Sequence, residues 1–141
     1  MNAMVLKTPR PIEANPLEPM VLPPPSPGID EILVRVRACG ICHTDLHTVE
    51  GEIPLIKTPI IPGHQVVGHV ERLGPEAGRF KRGDRVGIPW LYRTCGRCAN
   101  CLTEHENLCS EAQFTGYHVN GGYAEYMIVP ELFASNIPYK Y

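Results

Sequence analysis

Along most of the chain the apolar positions recur with a period of two rather than 3.6. In "DEILVRVRAC" (30–39), Ile32, Val34, Val36 and Ala38 alternate with Leu33, Arg35, Arg37 and Cys39, which predicts a half-buried strand. "HQVVGHVERLG" (64–74) is a β-branched run with an internal glycine, the pattern of a bent or bulged strand. "GDRVGIPW" (83–90) and "GGYAEYMIV" (121–129) each read as a turn leading into a short strand. Only "TDLHTVEG" (44–51) suits a helix: Thr44 and Asp45 are good N-cap residues and Gly51 is a C-terminal stop. The proline-rich "PRPIEANPLEPMVLPPPSPG" (9–28) is expected to be an extended lead-in along a surface, because each proline removes a donor and biases its predecessor to extended geometry. Short strands, many turns and little helical pattern predict a mainly β, barrel-like domain.

Composition narrows the class. The 141 residues suit one domain spanning 1–141, with 43% hydrophobic and 20% charged residues. A net charge of −2 without a basic stripe argues against nucleic acid as a partner. No run approaches the ~20 apolar residues of a membrane span, so no membrane partner is expected either. The start, "MNAMVLKTPRPIEANP", lacks the apolar core and small-residue cleavage site of a secretory leader. The expected compartment is therefore the cytoplasm, where thiols stay reduced. No G-x-G-x-x-G joins a strand to a helix, so the dinucleotide fingerprint is absent.

Against that background "CGRCANCLTEHENLC" (95–109) is unusual, holding four of the six cysteines as C-x2-C-x2-C-x7-C. A disulfide framework conflicts with a reducing compartment, and a thioredoxin-like pair lacks its βαβ context. An iron–sulfur cluster shares the first three positions, but the bacterial type brings its fourth cysteine after three residues with a proline following. Here seven residues intervene and Ser110 follows. Structural zinc, closed by the sulfurs of Cys95, Cys98, Cys101 and Cys109, fits best, and its binding would supply the folding energy of a lobe (92–113) poor in apolar residues.

A second constellation pairs Cys42, just before the expected helix, with His64, after a Pro-Gly turn. A thiolate and an imidazole on short constrained segments suit the open site of a catalytic zinc, and Asp45 is placed to accept the other ring proton of His64. Read without further context, a lone cysteine such as Cys42 is more often buried filler, and a lone histidine such as His64 more often a satisfied polar residue. Cys39 reads as a small apolar occupant of the strand end, and His69, His105 and His118 carry no assignment.

Taken together, "CGICHTDLH", "PGHQVVGHVERLGPEA", "GDRVGIPW", "CGRCANCLTEHENLC" and "GGYAEY" resemble, in order and separation, the zinc-dependent alcohol dehydrogenases of the medium-chain dehydrogenase/reductase superfamily. The resemblance implies their N-terminal catalytic domain: a GroES-like, partly open β-barrel with one or two short helices and a four-cysteine zinc lobe. It implies a catalytic zinc on Cys42 and His64, and a Thr44 hydroxyl that hydrogen-bonds the substrate oxygen. His47 would pass the proton to solvent, His43 would approach the cofactor pyrophosphate, and Trp90 would narrow the pocket toward small primary alcohols and aldehydes. The chain departs from the family at Gln65, where a glutamate is usual; glutamine keeps an acceptor and loses the charge. It also stops before the family's third zinc ligand and nucleotide-binding domain. NAD(P) is accordingly expected only where such a domain is supplied, and the uncovered face implies a homo-oligomer or a complementing chain. A zinc-stabilised binding module without activity is the alternative, and a GroES-like co-chaperonin has only the fold in its favour.

Overall fold

The computed structural model describes residues 1–140. Strands β1 (Asn2–Leu6) and β2 (Leu17–Val21) form an antiparallel pair. They are followed by β3 (Glu31–Gly40), helix α1 (His43–Glu50), β4 (Gln65–Leu73) and β5 (Arg85–Ile88). Then come β6 (Leu91–Arg93), helix α2 (Ala99–Leu102), β7 (Gln113–Phe114), β8 (Tyr126–Pro130) and β9 (Ser135–Asn136). The main sheet is antiparallel in the order β8-β3-β4-β5-β9, while β6 and β7 form a separate pair. The mainly β architecture with two short helices and a cysteine lobe agrees with the sequence pattern. No helix is long and apolar enough to cross a membrane among the described residues.

Three details differ from the sequence reading. The alternation in β3 is broken: Ile32, Leu33 and Val34 are all buried, and irregularities at Leu33/Val34 and Val36/Ala38 shift the register against β4. After the second shift Cys39, not Ala38, turns toward the core, because a bulge re-aims every side chain beyond it. The proline-rich lead-in contains β2, whose Pro19 lies on an edge strand where no donor is needed, and a short 3₁₀ turn at Ile12–Ala14. Helix α1 begins at His43, with Cys42 as its N-cap in place of Thr44 two residues later.

The main core gathers Ile32, Val34, Val66, Val70, Val86, Ile88, Met127 and Val129 from the strands, together with Phe80 and Tyr92. A smaller cluster, Leu6, Val49 and Ile60, fixes helix α1 to the amino-terminal strand pair. Together these hold the short segments that precede α1 and β4, where the chemistry lies.

Candidate metal centres

Helix α1 is capped at Cys42 because Asp45, its third residue, reaches back and accepts the Cys42 N–H at 2.9 Å. The helix stops at Gly51, which adopts the left-handed conformation (φ 83°) and donates its N–H to the His47 carbonyl. The other Asp45 oxygen accepts the Gly63 N–H at 3.0 Å and lies 3.2 Å from His64 Nδ1. One carboxylate therefore joins the start of α1 to the turn before β4. Asp45 and His64 are each only 5% exposed.

The turn that carries His64 needs a residue at φ 94°, where glycine avoids the clash of a side chain. Gly63 also has no room for a Cβ, which would fall 2.6 Å from the Tyr123 ring and 2.8 Å from Cys39 Sγ. The segment 120–123 cradles this turn. Gly121 donates to the Ile61 carbonyl, Gly122 to Gly63, Tyr123 to Pro62, and Asn120 Oδ1 accepts the Ile61 N–H. Sequence reading took "GGYAEY" only as a strand entry and missed this role; the Gly-Gly doublet was the available signal.

Electrostatics link the three side chains. Burial pushes the Asp45 carboxyl upward, but the hydrogen bond from His64 and those from the Cys42 and Gly63 N–H groups outweigh it, so its pKa lies below the ordinary value. The Asp45 carboxylate raises the His64 pKa against the opposing effect of burial. The Cys42 thiol is lowered by the backbone N–H and hydroxyl of Thr44 and then by His64. A polarised thiol, a hydroxyl and an imidazole with its Nδ1 occupied thus share one site. That donor set fits a zinc ion, with Cys42 Sγ and His64 Nε2 as the groups left to hold it.

Trp90 lies edge-on to His64, with ring centroids 4.7 Å apart. It stacks on Phe114 at 4.9 Å and meets Tyr117 at 6.2 Å. Tyr117 in turn donates its hydroxyl proton to the Pro54 carbonyl at 2.7 Å. Phe114 and Tyr117 escaped sequence reading because β7 has only two residues and shows no periodicity. Gln65 opens β4 and is exposed, its side chain beside Gly40. His43 and His47 stack one turn apart on α1, with centroids 4.4 Å apart. Thr48 is buried and donates its hydroxyl proton to the Thr44 carbonyl.

The second centre is separate. Cys95, Cys98, Cys101 and Cys109 place all four sulfurs within 4.8 Å of one another. Two of the separations are 3.5 Å (Cys98–Cys101) and 3.9 Å (Cys95–Cys101). A tetrahedron of sulfurs about zinc, with Zn–S near 2.3 Å, has edges of about 3.8 Å. The thiols are free, and among the described residues this is the one group of three or more His, Cys, Asp or Glu donors close enough to share an ion.

Backbone N–H groups of Arg97 and Cys98 point at Cys95 and bring its pKa down to about 7. The Cys101 N–H lowers Cys98, but proton sharing with the Cys101 sulfur, together with burial, pushes it up to about 11. The Glu111 N–H donates to Cys109 Sγ at 3.3 Å. Packed sulfurs competing for protons while amides stabilise thiolates are suited to exchanging those protons for a divalent cation. The residues fit zinc.

The alcohol dehydrogenase GroES-like domain family matches residues 28–139. The chain is 45% identical to a Mycobacterium tuberculosis protein named a probable alcohol dehydrogenase, AdhA, over all of this chain and 42% of that protein. It is 48% identical to an alcohol dehydrogenase of Geobacillus stearothermophilus, over 87% of this chain and 37% of the relative. Among solved structures, an NAD-dependent alcohol dehydrogenase superposes with a TM-score of 0.92 at 35% identity, covering 100% of this chain and 40% of that one. A cobalt- and zinc-bound thermostable alcohol dehydrogenase from Pyrobaculum aerophilum gives 0.89 at 33%, covering 96% and 41%. The chain thus spans about two fifths of the length of the relatives it matches. On these grounds it belongs to the alcohol dehydrogenase GroES-like domain family.

Proposed function

We propose that this chain is the catalytic domain of a zinc-dependent alcohol dehydrogenase that interconverts small primary alcohols and aldehydes with NAD(P). The observation that carries the reading is the constellation of half-buried Cys42 with buried Asp45 and His64. A fold that needed only a helix cap and a turn would not require a thiol beside an imidazole whose Nδ1 is held by a carboxylate.

In this reading Cys42 and His64 hold the reactive ion, and the four cysteines of residues 95–109 hold a structural one. When bound, zinc would supply Lewis acidity toward an alcohol or carbonyl oxygen. Asp45 keeps the His64 proton on Nδ1, so Nε2 presents its lone pair. The Thr44 hydroxyl, which already lies against Cys42, is placed to hydrogen-bond a substrate oxygen, and His47 carries the proton toward solvent. Trp90, backed by Phe114, forms the wall beside His64 and limits the width of the substrate.

His43 borders an apolar hollow lined by Ile12, Leu17, Leu46 and Val49, and the neighbouring Ile41 is 87% exposed. That surface suits a docked nucleotide-binding unit or a second copy of the chain. Because the described residues contain no βαβ unit, residues 1–141 are proposed to bind metal without turning over until such a unit supplies NAD(P). Reduced thiols at both centres suit the cytoplasm.

The test is metal content per chain after purification without added metal. Two zinc ions are expected, falling to one in His64→Ala and to one in Cys101→Ser. A single ion in the unaltered chain, unaffected by His64→Ala, would leave the zinc-stabilised binding module as the better account.

A further inference from the structure

We propose that Glu52 is a positioning residue for proton exit: its carboxylate holds His47 in the tautomer protonated at Nδ1 and leaves Nε2 free to accept. The inference rests on the dehydrogenase reading for its purpose, while its geometry stands independently. His47 Nδ1 lies within a short hydrogen bond of Glu52 Oε2, although the two residues are five positions apart. They meet because α1 terminates at Gly51 in the left-handed conformation, which turns the chain back over its last turn. The N–H groups of Gly51, Glu52 and Ile53 all converge on the His47 carbonyl, so the backbone carrying Glu52 is pinned to the residue it serves. Pro54, two residues on, is tied to Tyr117. The carboxylate is thus presented on a fixed segment.

The ring has two neighbours and one open edge. Glu52 takes Nδ1, His43 stacks on one face, and the remaining edge carries Nε2 with about one-third of the side chain exposed. Glu50, the other acid at this end of α1, is engaged elsewhere, accepting the Ile12 N–H at 2.9 Å. An imidazole whose Nδ1–H is given to a carboxylate can accept only at Nε2. A free imidazole prefers the opposite tautomer, with its proton on Nε2, and would present a donor where an acceptor is needed. In the step served, Nε2 takes one proton, the Glu52 carboxylate offsets the resulting imidazolium charge, and Nε2 releases that proton to water. The Nδ1–H tautomer is restored, so protons and charge balance.

Nitrogen-15 spectra of the zinc-loaded full chain report the tautomer directly, with His47→Asn identifying the resonances. In the unaltered chain His47 is expected to carry its proton on Nδ1. Glu52→Gln should retain that state, because the carboxamide oxygen still accepts. Glu52→Ala should transfer the proton to Nε2, with the thermal midpoint and the two-ion metal content unchanged. A merely structural ion pair would not distinguish glutamine from alanine in this way. Protonation at Nε2 in the unaltered chain, or an Nδ1–H that persists in Glu52→Ala, would overturn the proposal. Loss of the second metal ion in every sample would instead sink the dehydrogenase reading, whatever the tautomer.

Discussion

Replacing Asp45 by alanine removes a carboxylate that hydrogen-bonds both the start of α1 and the His64 turn. The carboxylate accepts from the Cys42 N–H, the Gly63 N–H and His64 Nδ1, and it is almost fully buried. Two effects oppose each other. Burying a charge costs free energy, which alanine would relieve, while stranding buried donors costs about 1–3 kcal/mol for each. The carboxyl pKa lies below its ordinary value despite burial, so the fold favours the charged form that these donors require. Losing the cap costs a further ~1 kcal/mol, overlapping with the Cys42 N–H. The expected destabilisation is about 4 kcal/mol, a large share of the 5–15 kcal/mol that holds a domain together. For a chain of this size that corresponds to a fall in Tm of roughly 10–15 °C. Asp45→Asn, which keeps the shape and one acceptor, should lose about half as much. Removing the carboxylate partner of a ligating histidine should also weaken the Cys42–His64 metal ion by roughly 10–100-fold. Thermal unfolding of the zinc-loaded variants, with metal titration alongside, measures both. An Asp45→Ala variant within about 1 kcal/mol of the parent, still holding its second ion with undiminished affinity, would refute the reasoning.

Other outcomes follow from the same geometry. In the metal-free chain the raised His64 pKa contributes stability that is fully present below the unfolded value near 6.5 and is lost as pH rises through the higher folded value. The lowered Asp45 pKa contributes stability present above its unfolded value near 3.9 and lost as pH falls through the lower folded one. The pair therefore stabilises most between about pH 4 and 6.5, and urea midpoints across pH in the presence of chelator should show a dependence that Asp45→Asn flattens. Gly121→Ala would place a Cβ 2.0 Å from the Gly63 carbonyl oxygen and 2.8 Å from that of Pro62, backbone that cannot move without shifting His64. It should cost about 3 kcal/mol or more in urea unfolding. Gly78→Ala, with nothing within 4 Å, should be neutral or slightly stabilising, and similar midpoints for the two would contradict this account. In the cysteine lobe Leu102 is 71% exposed and Leu108 is 61% exposed, so little apolar burial holds the lobe without metal. Chelation should raise amide hydrogen exchange across residues 95–109 while β3 and β4 stay protected; equal protection before and after chelation would show that metal is dispensable there.

The amino-acid order by itself carried the β class, the helix between Cys42 and Gly51, and the C-x2-C-x2-C-x7-C ligand spacing. Each of these depends on interactions a few residues apart: alternation along a strand, a carboxylate three positions beyond a cap, sulfurs on one loop. The pairing of Asp45 with His64 was legible as an expectation because the two residue types sit beside recognisable turns. Its support in the fold, the cradle of residues 120–123 around Gly63, was not, since it joins segments some sixty residues apart through backbone contacts that leave only a glycine doublet in the sequence. The register shifts in β3 were hidden for a related reason. Alternation predicts Ala38 facing inward, whereas pairing with β4 across the bulge turns Cys39 to the core. The wall of Trp90, Phe114 and Tyr117 likewise joins the residue before β6 to β7 and the turn after it, which meet only when β6 pairs with β7. Local chemistry named the donors, and tertiary packing decided which of them face one another, because side-chain direction depends on register and loop closure that no short window of sequence contains.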